Sequence, residues 1–293
     1  MRHTTHVVPE TVKPYVEYVW SLESGEECTE LGFDSFASGT SGLIIQHHRG
    51  RSAFTDAITV SGHEICRGAL PMCFVFGPLA EPVHTAFAEP FAATGVVFKP
   101  YALSMLLKVN ATELADRLID VRAFSWSSIH DQLVNAGGNV ERMALLLRFL
   151  DDKARAAAPR DDIVGAGLHL IHRLIQPVRL SEVLRALNVS ERQLERRFLR
   201  VVGVTPHRYI RLVRFQKAIR RLQGGLFDHL SDLAYDLGYA DQAHFIKEFK
   251  EMSGQTPTTL VRSVRDWIPE HQRVAGRVES LTQPDGSAAS FRG

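Results

Sequence analysis

Between Ser190 and Val202 the chain runs Ser-Glu-Arg-Gln-Leu-Glu-Arg-Arg-Phe-Leu-Arg-Val-Val. Wound as a helix, this segment puts Leu194, Phe198 and Val201 on one face and turns Arg192, Gln193, Glu195, Arg196, Arg197 and Arg200 outward. These are side chains that can read a DNA groove: Arg pairs bidentately with guanine O6 and N7, Gln pairs with adenine, and Glu accepts from cytosine N4. Other residues invite different chemistry. His63-Glu-Ile-Cys66 has a ligand-like spacing, with His47, His48, Cys73 and His84 elsewhere in the same half. No paired CxxC accompanies them, and adjacent His47 and His48 point to opposite faces of a strand, so satisfied or solvated histidines are expected and no metal ligand is assigned. His47, His48, Arg49 and Arg51 are weak candidates for an effector-binding anion cluster, against a solvated turn around Gly50 as the favoured reading. There is no phosphate loop, nucleophile elbow or dinucleotide glycine motif, so no catalytic residue and no cofactor is expected. Three cysteines, Cys28, Cys66 and Cys73, fit reduced thiols better than a disulfide framework.

The arginine-rich helix needs a scaffold, and the sequence supplies one twice. Leu180-Ser181-Glu182 recurs as Leu230-Ser231-Asp232, 50 residues on. Asn188 and Gly238 share a turn position; after one inserted residue Leu194, Phe198, Gly203 and Thr205-Pro206 return as Phe245, Phe249, Gly254 and Thr256-Pro257. Each copy reads as a short helix, a tight turn through a residue that tolerates positive φ, and a longer helix capped by Ser190 or Asp241. A steep crossing leaves the second helix proud of the surface, shaped for a major groove about 12 Å wide. Pro206 to Leu222 reads as one spacer helix, started by its proline and ended by Gly224-Gly225. If it holds the outer helices parallel about 34 Å apart, both reach successive major grooves on one face of B-DNA.

With these residues in view, Leu180 to Val264 resembles the DNA-binding domain of the AraC/XylS family of bacterial transcription regulators. The likeness rests on Val189-Ser190-Glu191-Arg192-Gln193-Leu194 with Phe198, on Gly203-Val204-Thr205-Pro206, and on Leu237-Gly238-Tyr239-Ala240-Asp241-Gln242 with His244-Phe245 and Phe249, preceded by a leading helix from Asp161 to Gln176. Leu184 replaces the family's usual small Ala, which implies slightly wider packing, and Asn188 replaces the commoner Gly. The resemblance implies base contacts at Arg192, Gln193, Glu195 and Arg196, and by analogy at Gln242, Ala243, His244 and Lys247. Ser190, Arg197, Arg200, Arg208 and Arg211 are the phosphate candidates.

Charge is distributed unevenly. The whole chain has a formal net charge of +1, yet Arg179 to Arg221 holds twelve basic residues against Glu182, Glu191 and Glu195. Asp228 to Gly254 is the reverse, with six carboxylates against Lys247 and Lys250. Phosphate repulsion should then oppose docking of the second unit, so the first is expected to supply most of the affinity.

The first hundred residues are rich in Gly, Pro and short β-type runs, at Tyr15–Trp20, Gly42–His47, Ala57–Val60, Cys73–Phe76 and Gly95–Phe98. Helical spacing follows at Ala102–Leu107, Glu113–Leu118, Ser127–Val134 and Val140–Leu150. Tyr18, Trp20, Phe33, Phe74 and Phe76 are expected in a core rather than lining a pocket. Val140, Met143, Ala144, Leu147 and Leu150 form a stripe that either pairs two subunits or packs on the β domain. Val12-Lys13-Pro14-Tyr15-Val16 with Trp20, Phe76-Gly77-Pro78, and Phe98-Lys99-Pro100 with Ala111 to Arg117 are similar to an uncharacterised sensor-type domain of some family members.

The expected fold is α+β: a small N-terminal β-barrel or sandwich followed by helices, then an all-α domain with two helix-turn-helix units joined by a linker helix. Domain limits are expected at 1–105 (β-rich sensor), 106–158 (helical linker or dimerisation region), 159–268 (DNA-binding domain) and 269–293 (disordered tail). The expected function is an effector-responsive, sequence-specific DNA-binding regulator, not an enzyme, with double-stranded DNA, RNA polymerase, a small-molecule effector and a second copy as partners. With 45% hydrophobic residues, no apolar run of membrane-spanning length and no leader-like start, a cytoplasmic location is expected. Two competing readings are a DNA-binding module fused to a catalytic domain, for example one that accepts alkyl groups on cysteine, and a ligand-independent binder whose first half only dimerises.

Overall fold

The computed structural model describes residues 2–24, 31–47, 54–60, 63–66, 70–87, 91–124, 126–173, 178–267 and 289–292. The N-terminal part is built on two antiparallel sheets. The first has the order β1-β2-β9-β4-β7-β10, with β1 Arg2–His6, β2 Val16–Glu23, β4 Ser41–His47, β7 Cys73–Phe76, β9 Ala92–Phe98 and β10 Leu118–Asp120. In the second, β11 (Ala289–Arg292) lies at the edge, followed by β3 (Leu31–Ser35), β8 (Val83–Phe87), β5 (Phe54–Val60) and β6 (His63–Cys66). Every strand run expected from the sequence is a strand. The tail departs from expectation: residues 289–292 pair with β3 (Phe291 opposite Phe33), a four-residue edge too short to leave a periodic signal.

Alternation along the first sheet explains its packing. Val16, Val19, Leu43, Ile45, Val75, Val96 and Phe98 point to one face, where α1 (Ala102–Leu107), α2 (Ser127–Asn135) and α3 (Asn139–Arg155) cover them with Leu103, Leu106, Leu133, Met143, Leu146 and Leu150. Phe74 and Ile44 point the other way and meet Val83 of the second sheet. Tyr18 and Phe74 are buried; Trp20 lies against Gly95, where a Cβ would stand 2.6 Å from its ring, so the strand needs a glycine there. The helices expected as a linker therefore share the core of the sheet. Along α3 the buried stripe is Arg142, Met143, Leu146 and Leu150, whereas Val140 is 84% exposed. Arg142 is buried by donating to the carbonyls of Leu133 (3.0 Å) and Ala136 (2.7 Å) at the end of α2. The helix expected at Glu113–Leu118 is one 3-10 turn, Ala111–Glu113; Asp116 at φ 55° ends the helical path and Leu118 enters β10.

The C-terminal part is all helical: α4 (Asp162–Arg173), α5 (Leu180–Leu187), α6 (Glu191–Val202), α7 (Pro206–Gln223), α8 (Leu230–Asp236), α9 (Gln242–Ser253) and α10 (Pro257–Trp267). No described helix is long and apolar enough to cross a membrane. α7 is more than the expected spacer. Tyr209, Leu212, Phe215, Ala218, Ile219 and Leu222 bury most of its circumference, making it the axis around which both helical pairs pack.

The two parts share a core. Phe36 and Ala37, from the loop after β3, belong to the helical cluster, and the Phe36 ring meets Phe215 edge to face with centroids 6.3 Å apart.

Candidate nucleic-acid interface

The two helix-turn-helix units are built by matching local devices. Asn188 turns the first at φ 51° and Gly238 the second at φ 69°, the left-handed conformation the sequence called for. Ser190 Oγ accepts from the Gln193 amide, and Gln193 Oε1 accepts the Ser190 amide at 3.0 Å, a reciprocal cap on α6. Asp241 accepts from the His244 amide at 2.7 Å and caps α9. Leu194 and Phe198 on α6, and Phe245 and Phe249 on α9, are fully buried, which fixes the roll of each helix about its axis.

That roll exposes Arg192, Gln193, Glu195 and Arg196 on α6, and Gln242, Ala243, His244 and Lys247 on α9. All eight base-contact candidates lie in the first two turns of their helices, the part that leads into a groove. Gln193 keeps only its amide nitrogen for a base, since its oxygen is used in the cap.

The phosphate candidates divide. Ser190 and Arg200 are exposed, with Arg200 3.5 Å from Asp161. Arg197 is bound at 2.7 Å to Asp161, whose other oxygen accepts the Val164 amide at the start of α4. Arg208 donates to the Ala80 carbonyl at 2.9 Å, inside the contact with the N-terminal part. Arg211 pairs with Glu248 (2.8 Å) and Glu251 (3.2 Å). Arg197, Arg208 and Arg211 are thus drawn partly into the protein by their partners, which a count of residues along the chain could not reveal.

The charge expectation for the second unit also needs correction. Glu248 is 4% exposed and bonded to both Arg211 and Arg214, the latter at 2.6 Å, while Asp236 pairs with Arg221 at 2.8 Å. Helix α7 thereby neutralises three of the six carboxylates, Glu248, Glu251 and Asp236. Burial works against ionisation of Glu248, but the hydrogen bonds and charge of Arg214 and Arg211 outweigh it and hold the carboxyl below its usual range. The Arg214 guanidinium also lies 4.0 Å from the Tyr239 ring centroid.

A feature that sequence reasoning missed stands at the opposite ends of the same helices. In the last turn of α6, the Leu199 carbonyl accepts from Thr112 Oγ1 at 2.8 Å; in the last turn of α9, the Met252 carbonyl accepts the Ala37 amide at 2.9 Å. The two closing glycines also face the N-terminal part: a Cβ on Gly203, at φ 90°, would meet the Ala111 carbonyl at 2.8 Å, and one on Gly254 would touch Pro82 at 3.5 Å. Nothing in the spacing of Thr112 or Ala37 announces these contacts, which join residues 87 and 215 positions apart.

Among the described residues, no group of three His, Cys, Asp or Glu is placed to hold a metal. The side chains of His47, His63, Cys66 and His84, and residues Cys28, His48, Arg49 and Arg51, lie outside the described residues. Cys73 is fully buried, and burial raises its thiol far above the ordinary range, the reverse of what a nucleophile needs.

Residues 183–263 match a helix-turn-helix domain model, and residues 5–120 match a domain of unknown function, DUF6597. The HTH-type transcriptional regulator MtrA of Neisseria gonorrhoeae is 31% identical over 93 residues, 30% of this chain and 31% of that protein. The HTH-type transcriptional activator RhaS of Klebsiella pneumoniae (strain 342) is 32% identical over 98 residues, 33% of this chain and 31% of that protein. The chain spans about a third of the length of these curated relatives. A solved structure of ToxT from Vibrio cholerae with a bound unsaturated fatty acid aligns at 12% identity and a TM-score of 0.44, over 86% of this chain and 96% of that one. The chain thus joins a C-terminal helix-turn-helix domain, similar to those of MtrA and RhaS, to an N-terminal domain that matches the DUF6597 model.

Proposed function

We propose that the chain is a sequence-specific DNA-binding transcription regulator that sets α6 and α9 into successive major grooves and responds to a small-molecule effector. The observation that carries this reading is the pair of capped helices on one central α7, each turning its N-terminal outer face to solvent. Base reading is assigned to Arg192, Gln193, Glu195 and Arg196 and to Gln242, Ala243, His244 and Lys247. Backbone phosphates fall to Ser190 and Arg200, the two candidates exposed to solvent. Arg197, Arg208 and Arg211 position the helices instead. The DNA-binding unit is taken as residues 159–268, acting on promoters in the cytoplasm beside RNA polymerase and without enzymatic activity. Two copies acting together would double the contacts.

Selection of bound sequences from fragmented genomic DNA tests the reading. One recurring motif is expected, bound roughly a thousandfold or more tighter than bulk competitor at moderate salt. Equal binding to all sequences overturns it. On the selected site Arg196→Ala should cost about 1–3 kcal/mol and Lys247→Ala less, because the chain's basic residues are concentrated between Arg179 and Arg221, around the first unit. A greater loss from Lys247→Ala removes the assignment of the first unit as the main source of affinity. A single monomeric species on DNA in sedimentation removes the paired copies.

A further inference from the structure

A cleft of about 400 Å³ lies where the two parts meet, lined by residues of both. Its walls are aromatic and aliphatic, with Tyr101 from the N-terminal part and Tyr209 and Leu212 from α7. Its charged groups are mainly cationic. Lys99, Arg160 and Arg220 line it with His169 and His172, against the single carboxylate Glu17.

Two details show a site prepared for a ligand. Arg160 stacks on the Tyr101 ring, 4.3 Å from its centroid, and no carboxylate pairs with it among the described residues. Gly165 makes room for that pose: a Cβ there would stand 2.5 Å from the Arg160 Nε. Deeper in, Gln216 is 92% buried and its amide nitrogen donates to the Ala37 carbonyl at 3.1 Å, but its Oε1 has no hydrogen-bond partner. A buried acceptor left unpaired is destabilising, so it marks a place where a donor is wanted. His172, hydrogen-bonded to the Tyr209 hydroxyl at 2.7 Å, is kept below the ordinary imidazole range first by burial and then by the charges of Arg220, Lys217 and His169.

The geometry points to the interdomain cleft as the effector site, taking a small organic anion that carries a hydroxyl or N–H donor beyond an apolar or aromatic middle. The anion meets the Arg160 guanidinium at the rim, the middle lies between the tyrosine rings, and the donor reaches Gln216 Oε1. Because the walls come from both parts, occupancy biases how the N-terminal domain seats on α7 and hence on both helix-turn-helix units. This rests on the regulator reading above.

The probe is 4-hydroxyphenylacetate, with phenylacetate lacking the donor and tyramine reversing the charge, titrated calorimetrically into the full chain. Expected is binding of 4-hydroxyphenylacetate about tenfold tighter than phenylacetate, with tyramine failing to bind. Gln216→Leu should bring the ratio between the two acids to near one, a comparison made within one variant and so insensitive to its stability. Gly165→Ala should weaken the acid about tenfold by displacing Arg160, while leaving the melting temperature undiminished. No binding of the acid at millimolar concentration, equal binding of tyramine, or an unchanged ratio in Gln216→Leu overturns the proposal. Acid binding without any sequence-specific DNA binding leaves the site standing and removes the regulator reading; the converse removes the site alone.

Discussion

Helices α6 and α9 occupy equivalent places in the two units, and at the seventh residue of each they carry opposite charges. Arg197 on α6 is answered by Asp161 in front of α4, and Glu248 on α9 by Arg211 and Arg214 of α7. The same position in one architecture accepts either sign, provided that a neighbouring helix brings the complement. The two solutions are not equal in depth. Arg197 keeps 37% of its side chain in solvent, whereas Glu248 is almost fully enclosed between two guanidiniums. Charge read along a segment therefore misjudges the surface, because the compensating residues come from elsewhere in the chain.

The largest test of this contrast is Glu248→Ala, which strands two partly buried arginines and should lower stability by about 3–5 kcal/mol in urea unfolding. Arg197→Ala, at the more open pair, should lose about 1 kcal/mol. Equal losses would erase the distinction. Acid sharpens it: the carboxyls of Asp161 and Glu248 are both held below their ordinary values, burial being outweighed by the arginines. Their stabilisation is complete above the unfolded carboxylate range, about pH 4–4.5, and disappears as pH falls through the lowered folded values. A melting temperature that climbs on acidification from pH 5 to 3 contradicts this. At the caps, Ser190→Ala and Asp241→Ala should each lower stability by about 1 kcal/mol in thermal unfolding, with the larger effect at Ser190, where the donation of the hydroxyl to Gln193 Oε1 also goes. Smallest is the turn: Asn188→Gly should change stability by less than about 0.5 kcal/mol, since both residues tolerate the left-handed conformation.

What could be read in the residues was whatever is encoded locally. The duplicated turn at Asn188 and Gly238, the caps at Ser190 and Asp241, and the burial of Phe198 and Phe249 depend on neighbours within a few positions, and the structure realises each. The strand at Cys73–Phe76 and the helix at Ala102–Leu107 were legible to the residue for the same reason. Contacts between distant segments were not. Arg208 reads as a phosphate ligand until Ala80, 128 residues earlier, is found accepting from it. The stripe on α3 shifted by a residue, leaving Val140 outside, because a sheet and two helices together decide which side is covered.

Ala37 engages the helical domain through both of its backbone polar groups, the amide on α9 and the carbonyl on α7. A fragment cut to the C-terminal half loses this clasp, uncovers Phe215 where Phe36 packs on it, and frees the final turns of α6 and α9 to fray. The isolated helical part should exchange its amides at Met252 and nearby positions faster than the intact chain does, and the spacing between its two units becomes a variable that the front of the molecule otherwise holds constant.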